Sequence, residues 1–134
     1  METPLPTIED IDELLVFLPK LYADGFKALT DMHIDEYPDG SISFPRAEYD
    51  PLVYTFIDVA SKSCWTDYQY DPEHTGLMLE GRNLIENASL EQIKTMMTYC
   101  VRGERFCEGH WGAMIEQGKF KALLERLMQL REHK

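Results

Sequence analysis

The residues best suited to chemistry lie close together near the end of the chain, between Arg102 and His110. Arg102 and Arg105 are followed by Glu108 and His110, so two anion-binding side chains stand beside a carboxylate and a histidine. Arginine binds carboxylates and phosphates through several N–H donors, and histidine is the commonest general base. These four residues predict a site that attracts anions. Such a site could belong to a small hydrolase or to another enzyme that binds an anionic substrate. The structural alternative is a lock in which Arg105 pairs with Glu108 while Phe106 anchors the corner in the core.

The backbone around this cluster adds to its attraction for anions. We expect one helix to end at Gly103 and the next to begin near Arg105. A helix N-terminus presents unpaired N–H groups and a partial positive charge, which favours an anion or Glu108 in the first turn. A positive charge is disfavoured there, so we expect His110 to be neutral and hydrogen-bonded.

Two incomplete patterns resemble metal sites. The segment from Asp35 to Arg46 places acids and a glycine as a calcium loop does, but Tyr37 and Arg46 stand where two oxygen ligands belong. A hairpin turn explains the segment better. Cys107 and His110 have the spacing of half a zinc site, but no second close pair accompanies them. We expect neither a metal nor a cofactor.

Aromatic residues supply the other candidate contacts. Trp65, Tyr68, Tyr70 and Trp111 could line a pocket or a partner-binding surface, because Trp and Tyr combine a large contact area with a polar group. Alternatively they pack the core beneath an irregular segment, which we favour. The candidate ligand-binding or partner-binding residues are Arg102, Arg105, Glu108, His110, Trp111 and Trp65.

Composition excludes several classes of protein. The 134 residues carry a net charge of −11, and any basic character is confined to the last quarter. Nucleic-acid binding needs clustered Lys and Arg, so we expect no nucleic-acid partner. The longest apolar run, Leu14 to Leu18, is too short to span a membrane, and three cysteines are too few for a disulfide framework. We expect a cytoplasmic protein with no membrane partner.

Helical spacing of apolar residues dominates the chain and predicts the elements that position these residues. Thr7 caps a first helix that stops near Leu18 or continues, kinked at Pro19, to Asp24. Four more predicted helices follow before the last one: Pro51 to Ala60, Pro72 to about Gly81, a helix from the Ser89–Gln92 capping box to Gly103, and one that closes at Gly118.

The last helix and one short hairpin complete the predicted architecture. The last helix turns Phe120, Leu123, Leu124, Leu127 and Leu130 inward. Residues from Met32 to Pro45 alternate in polarity around Pro38-Asp39-Gly40, which predicts a short β-hairpin. The length suits a single domain, 1–134. We therefore predict a mainly α fold, a small helical bundle with an attached short β-hairpin.

Several runs of the sequence resemble a known family. They are the run from Arg102 to His110, then Ile115-Glu116-x-Gly118, then Leu123-Leu124-x-Arg126-Leu127, together with the opening Ile8 to Pro19. They are similar to the signatures of an uncharacterised bacterial family, the domain of unknown function numbered 6508. The resemblance implies that Arg105-Phe106-x-Glu108-Gly109-His110 is a family hallmark. It implies no activity, because the family has no established substrate or catalytic residues.

Two functions from different classes remain. The first, which we favour, is a small non-catalytic binding or regulatory module whose partner is another protein or a second copy of the chain. It fits the acidity, the aromatic residues and the absence of the common hydrolase, phosphate-loop and zinc-protease motifs. The second is the small hydrolase or anion-binding enzyme built on Arg102, Arg105, Glu108 and His110. An enzyme needs His110 and Glu108 to open into a cleft, whereas a module leaves them paired or turned into a helix corner.

Overall fold

A computed structural model describes residues 5–42, 46–80, 82–105 and 109–132, with the backbone alone described at His33, Arg46, Arg82, Asn83 and Arg105. Helices predominate, and a two-stranded antiparallel sheet is attached to them, which confirms the predicted mainly α fold with a short hairpin. The elements are α1 (Ile8–Leu15), α2 (Leu18–Leu21), β1 (Leu29–His33), β2 (Arg46–Tyr49), α3 (Pro51–Ala60), α4 (Pro72–Glu80), α5 (Arg82–Glu86), α6 (Leu90–Arg102), α7 (His110–Glu116) and α8 (Lys119–Glu132).

The helix caps that were predicted from sequence are present. Thr7 forms a capping box with Asp10: the Thr7 hydroxyl accepts from the Asp10 N–H at 3.2 Å, and the Asp10 carboxylate accepts from the Thr7 N–H at 2.9 Å. Ser89 and Gln92 form the same reciprocal pair at the start of α6. Asp50 accepts from the Leu52 N–H at 2.9 Å and so caps α3. These caps satisfy N–H groups that have no partner within the helix.

The first predicted helix is divided in the structure. Instead of one helix to Leu18 or a kinked helix to Asp24, α1 ends at Leu15 and α2 forms a separate turn. Pro19 lies in the first turn of α2, where the N–H that proline lacks would have had no helical partner. The break thus falls before the proline, because the proline begins a helix better than it continues one.

The predicted hairpin is confirmed, but its strands lie farther from the turn than expected. The Gly40 N–H donates to the Tyr37 carbonyl at 2.9 Å, and Gly40 has a φ of +89°, a conformation that glycine adopts without strain. The paired strands run from Leu29 opposite Tyr49 to the end of β1 opposite the start of β2. Between the two strands, Glu36 pairs with Ile42 across the turn as an isolated β-bridge. Ser43, Phe44 and Pro45 lie outside the described residues.

The last helix packs on the other helices as its spacing predicts. Phe120, Leu123, Leu124 and Leu127 are fully buried, and Leu130 packs half-buried at the edge of the same core. α8 lies against α1, α5, α6 and α7, so it holds the helical body together. Within the described ranges, no helix is both long and apolar enough to cross a membrane.

Candidate functional site

The chain turns a corner between α6 and α7, and this α6–α7 corner, residues 102–105 and 109–112, is the candidate site. Gly103 ends α6 as predicted, but the chain continues through a tight helical turn, Gly103–Arg105. The next helix begins at His110 and not near Arg105, which corrects the predicted start. Gly109 precedes it with a φ of +89°, and this left-handed residue redirects the chain into α7.

Glu104 caps the new helix from a distance. Its carboxylate accepts the Gly109 N–H at 3.1 Å and the Trp111 N–H at 2.9 Å. The positive end of α7 is therefore covered by an internal anion, the role that the sequence suggested for Glu108 or for a bound ligand. Sequence reasoning missed Glu104 because known capping patterns join residues two or three apart, whereas this carboxylate reaches amides five and seven residues farther on.

Tyr49 of β2 joins the hairpin to this corner. Its hydroxyl donates to the two Glu104 oxygens at 2.9 and 3.0 Å and accepts from the Gly112 N–H at 3.3 Å. The Tyr49 ring lies 5.4 Å from the Trp111 ring and 6.0 Å from that of Tyr54. A Cβ on Gly112 would lie 3.3 Å from the Tyr49 ring, so the glycine permits this close approach. The base of the hairpin is thus fixed on the N-terminus of α7.

His110 is turned into the corner and packs against the end of α6. Its ring lies edge-on to Tyr99 at 5.5 Å and occupies the space beside Gly103, where a Cβ would lie 2.2 Å from the His110 Nε2 atom. Nε2 is buried and has no hydrogen-bond partner among the described residues. Burial lowers the pKa of His110, and the charge of Glu104 and the Tyr99 backbone oppose that shift. The direction of the shift agrees with the neutral histidine expected from the sequence.

A cavity of about 390 Å³ opens beside the corner. Apolar residues of α3 and α6 line it, together with Trp111 of α7. The residues that line it are Ile57, Ala60, Ser61, Thr66, Tyr68, Thr98, Val101, Arg102, Glu104 and Trp111. An apolar space with a few polar groups is the usual form of a small-molecule or side-chain site.

Arg102 stands in the lining of this cavity between two tyrosines. The guanidinium carbon lies 5.4 Å from the centre of the Tyr68 ring and 5.8 Å from that of Tyr70. Aromatic faces attract a cation and leave the guanidinium N–H groups in its own plane available to a ligand. Two ion pairs that the structure describes, Lys62–Glu13 and Arg131–Asp12, lie elsewhere and do not include Arg102. Sequence reasoning named Arg102 and the two tyrosines but did not predict their contact.

The two tryptophans occupy different places. Trp111 lies at the cavity, and its indole N–H donates to the Val101 carbonyl at 2.7 Å, which fixes the ring. Trp65 is fully buried in the core, and its indole N–H has no hydrogen-bond partner within the described ranges. For Trp65 this is the position that the core-packing alternative describes.

The other candidate residues are only partly described. The backbone of Arg105 closes the turn after α6, while its side chain lies outside the description, as does all of Glu108. The predicted Arg105–Glu108 ion pair and the burial of Phe106 therefore stay predictions. Of the four clustered residues, the structure brings Arg102 to the cavity and turns His110 away from it into the corner.

No metal centre is apparent in the part of the chain that the structure describes. No three His, Cys, Asp or Glu side chains lie together there as a metal ion would need. Cys100 is fully buried, and burial raises the pKa of its thiol to about 12, so it behaves as a small apolar residue. Cys107, the other thiol of the half zinc pattern, lies outside the described residues. In the loop that resembles a calcium site, Asp39 instead accepts from the Ser41 N–H at 2.9 Å and the Ser41 hydroxyl at 2.6 Å.

Comparison with known proteins gives a family and no activity. A family model described as a family of unknown function, DUF6508, matches residues 6–133. The match covers nearly the whole chain and includes the opening helix and the run from Arg102 to His110, as the resemblance predicted. No curated protein and no solved structure matches the chain significantly.

Proposed function

We propose that this chain, which belongs to the family of unknown function DUF6508, is a small non-catalytic binding or regulatory module. We further propose that its site is the cavity beside the α6–α7 corner, and that Arg102 binds an anionic group of a ligand or partner there. The apolar wall would hold the body to which that anionic group is attached.

The main support for the proposal is that most polar groups around the cavity are already hydrogen-bonded within the chain. Ser61 donates to the Ile57 carbonyl at 2.6 Å, and the Thr98 hydroxyl donates to the Lys94 carbonyl at 2.9 Å while it accepts the Asp67 N–H at 2.8 Å. Thr66, Glu104 and Trp111 are also bonded within the chain. These groups stabilise the cavity walls and have little capacity left for a ligand.

Arg102 and Tyr68 differ from the rest of the lining. No described group forms a hydrogen bond or an ion pair with either side chain, and each offers N–H or O–H donors to the cavity. Both are donors to an anion, and a guanidinium bonds a carboxylate or phosphate through two parallel N–H groups. The cavity thus favours an anionic group next to an apolar or aromatic body.

The contacts of His110 and Glu104 favour a binding module over the hydrolase alternative. His110 packs on Gly103 and Tyr99 and is not among the residues that line the cavity. Glu104 does line it, but its carboxylate already accepts from three donors, the Tyr49 hydroxyl and the N–H groups of Gly109 and Trp111, so it is a poor general base. The described part of the cluster therefore has an anion-binding group and lacks a placed base.

The proposal also covers the class of partner and the cell compartment. A net charge of −11 disfavours nucleic-acid backbones, and we propose a protein partner or a small anionic ligand in the cytoplasm. A local cation within an acidic protein selects ligands that present one anionic group at a defined place, because the surrounding negative charge repels highly charged anions.

A pair of isosteric probes tests the proposal. Calorimetric titration with benzoate should show saturable binding, and benzamide, which has the same shape without the charge, should bind more weakly by about tenfold or more. Arg102→Gln should abolish that preference for benzoate. Arg131→Gln is the matched control, since it makes the same change of charge at an exposed ion pair with Asp12 away from the cavity.

Two outcomes would contradict the proposal. One is equal binding of benzoate and benzamide by the parent protein. The other is an equal loss of benzoate binding in Arg102→Gln and Arg131→Gln, which would indicate attraction by net charge and not by this site. Inorganic phosphate, titrated in parallel, separates a requirement for the apolar body from simple anion binding.

A further inference from the structure

A short segment, residues 66–71, carries the two tyrosines that contact Arg102, and we call it the tyrosine turn. Its backbone belongs to neither a helix nor a strand. Tyr68 is 59% exposed, so burial of apolar area does little to hold its ring in place. Specific hydrogen bonds must therefore keep the tyrosine turn beside Arg102.

The hydrogen bonds that fix the tyrosine turn meet at Asp67. Its carboxylate accepts the Gln69 N–H at 3.0 Å through one oxygen and the Thr95 hydroxyl at 2.8 Å through the other. Its own N–H donates to the Thr98 hydroxyl oxygen at 2.8 Å, and its carbonyl accepts the Tyr70 N–H at 3.4 Å. An aspartate that bonds the N–H two residues farther on stabilises a turn. One residue thus both shapes the tyrosine turn and ties it to α6.

The partners of Asp67 lie on the face of α6 that carries the arginine. Thr95, Thr98 and Arg102 are three and four residues apart, and residues at this spacing share one side of a helix. The two tyrosines follow Asp67 by one and three residues. The threonine hydroxyls therefore hold Asp67 at the height on α6 from which both tyrosine rings reach the guanidinium.

A purely structural role for Asp67 would be to fasten a surface turn to the helical body. Two observations favour a role in the site. Tyr68 gives little buried area to the core, yet its ring stands against Arg102. In the described part of the chain no hydrogen bond or ion pair holds the Arg102 guanidinium, so the tyrosine rings are the groups that restrict it. An arginine that is already restricted loses less side-chain entropy when it binds an anion.

We propose that Asp67 is the positioning residue of the anion site. It acts through the tyrosine turn: by fixing Tyr68 and Tyr70 on α6, it holds the Arg102 guanidinium ready for a carboxylate at the cavity. Asp67 is not among the residues that line the cavity, so it does not itself contact the ligand. This inference rests on the proposed function, since a prepared guanidinium has a use only if an anion binds to it.

NMR of the unliganded whole chain tests the positioning itself. Nuclear Overhauser (NOE) cross-peaks should join the Arg102 side-chain protons to the ring protons of Tyr68 and Tyr70. Asp67→Ala should remove them, because the Gln69 N–H and the Thr95 hydroxyl lose their acceptor.

Asp39→Ala is the matched control for this experiment. Asp39 also accepts an N–H two residues farther on, from Ser41, and a hydroxyl, but that hydroxyl belongs to the same Ser41. The variant therefore removes one charge and the same kind of turn without touching α6. It should keep the cross-peaks between Arg102 and the tyrosine rings.

Titration with benzoate tests what the positioning does for binding. Asp67→Ala should lower the affinity for benzoate by about three- to tenfold, the cost of ordering one free side chain, and should reduce the preference over benzamide. Asp39→Ala should leave both unchanged. Thr95→Val removes the hydroxyl partner of Asp67 with little change of shape, and should give part of the same loss. Added to Asp67→Ala it should cost little more, because the bond is already absent.

Three results would overturn the inference. The first is a lower melting temperature of Asp67→Ala with the cross-peaks and the benzoate affinity retained, as a purely structural role predicts. The second is an equal loss of benzoate affinity in Asp39→Ala, and the third is additive losses from Asp67→Ala and Thr95→Val. Failure of the proposed function looks different: the parent then shows no preference for benzoate over benzamide, whereas the cross-peaks still report whether Asp67 sets the contact with Arg102.

Discussion

The α6–α7 corner and the hairpin arm, the exposed residues 34–42 between the paired strands, differ in how their polar groups are used. In the corner, the Glu104 carboxylate, the Tyr49 hydroxyl and the Trp111 indole N–H are bonded within the chain, and Arg102 is the charged group left over. On the arm, the acids and the apolar side chains face water. Acidic residues in this protein therefore differ in what surrounds them. The Glu104 carboxylate accepts from the Tyr49 hydroxyl and from two backbone N–H groups and so stabilises the corner, whereas Asp39 bonds only within its own turn and stays exposed.

The largest loss of stability should follow from the removal of apolar atoms in the helical body. The same kind of removal on the arm should have little effect on stability. Leu127→Ala removes a fully buried side chain and should lower the free energy of unfolding by about 2–5 kcal/mol. Ile42→Ala should leave it close to that of the parent, because Ile42 is mostly exposed. Urea unfolding of both variants measures the difference. A similar loss in the two variants would show that the arm is part of the core.

The next effect concerns the carboxylate of the corner. Glu104→Ala leaves the Tyr49 hydroxyl and the N–H groups of Gly109 and Trp111 without their acceptor, and should cost about 2–4 kcal/mol. Glu116→Ala, on the exposed end of α7, is the control and should unfold close to the parent. Parent-like unfolding of Glu104→Ala in urea would mean that water replaces the carboxylate without loss.

A smaller effect should follow from a methyl group at Gly103. Gly103→Ala places a Cβ where the His110 ring lies, and the required displacement should cost about 1–3 kcal/mol. In a His110→Ala background that space is empty, and Gly103→Ala should then be neutral or stabilising, because Gly103 has helical dihedral angles. Thermal melts of the two single variants and the double variant measure this coupling. Additive effects would contradict the packing of His110 on Gly103.

The smallest effect is a dependence of stability on pH through His110. Its pKa lies below the ordinary value of 6.5 in the folded chain, so between the two values the unfolded chain binds the proton more readily. The contribution of His110 to the free energy of unfolding is therefore complete above pH 6.5 and declines as the pH falls through the lowered pKa. Unfolding curves across this range should show a shallower slope in His110→Gln than in the parent.

The features that could be predicted from sequence were those that depend on residues close together in the chain. Thr7, Asp50 and Ser89 cap helices through amides two or three residues away, so short patterns reveal them. The turn at Gly40 likewise depends on local backbone preferences. These features, with the spacing of apolar residues in α8, were sufficient to predict the mainly α fold.

The site required contacts between distant parts of the chain. Tyr49 reaches Gly112 across 63 residues, and Arg102 meets Tyr68 only because the segment after α3 packs beside α6. No local pattern predicts either contact. The alternation of polar and apolar residues predicted strands next to the turn, between Met32 and Pro45. The observed strands lie farther from the turn, at the end of the hairpin where the corner anchors Tyr49. Tertiary packing thus determined both the hairpin's bounds and the role of Glu104.

The central claim is that Arg102 binds an anion in the cavity, and NMR with benzoate tests it most directly. Titration should shift the Arg102 Nε–H signal and the indole N–H signal of Trp111 together and saturably, since both residues line the cavity. The Arg131 Nε–H, which is paired with Asp12, and the indole N–H of Trp65, which is buried in the core, should not shift. Shifts of equal size at Arg102 and Arg131, or none at Arg102 and Trp111, would contradict the claim.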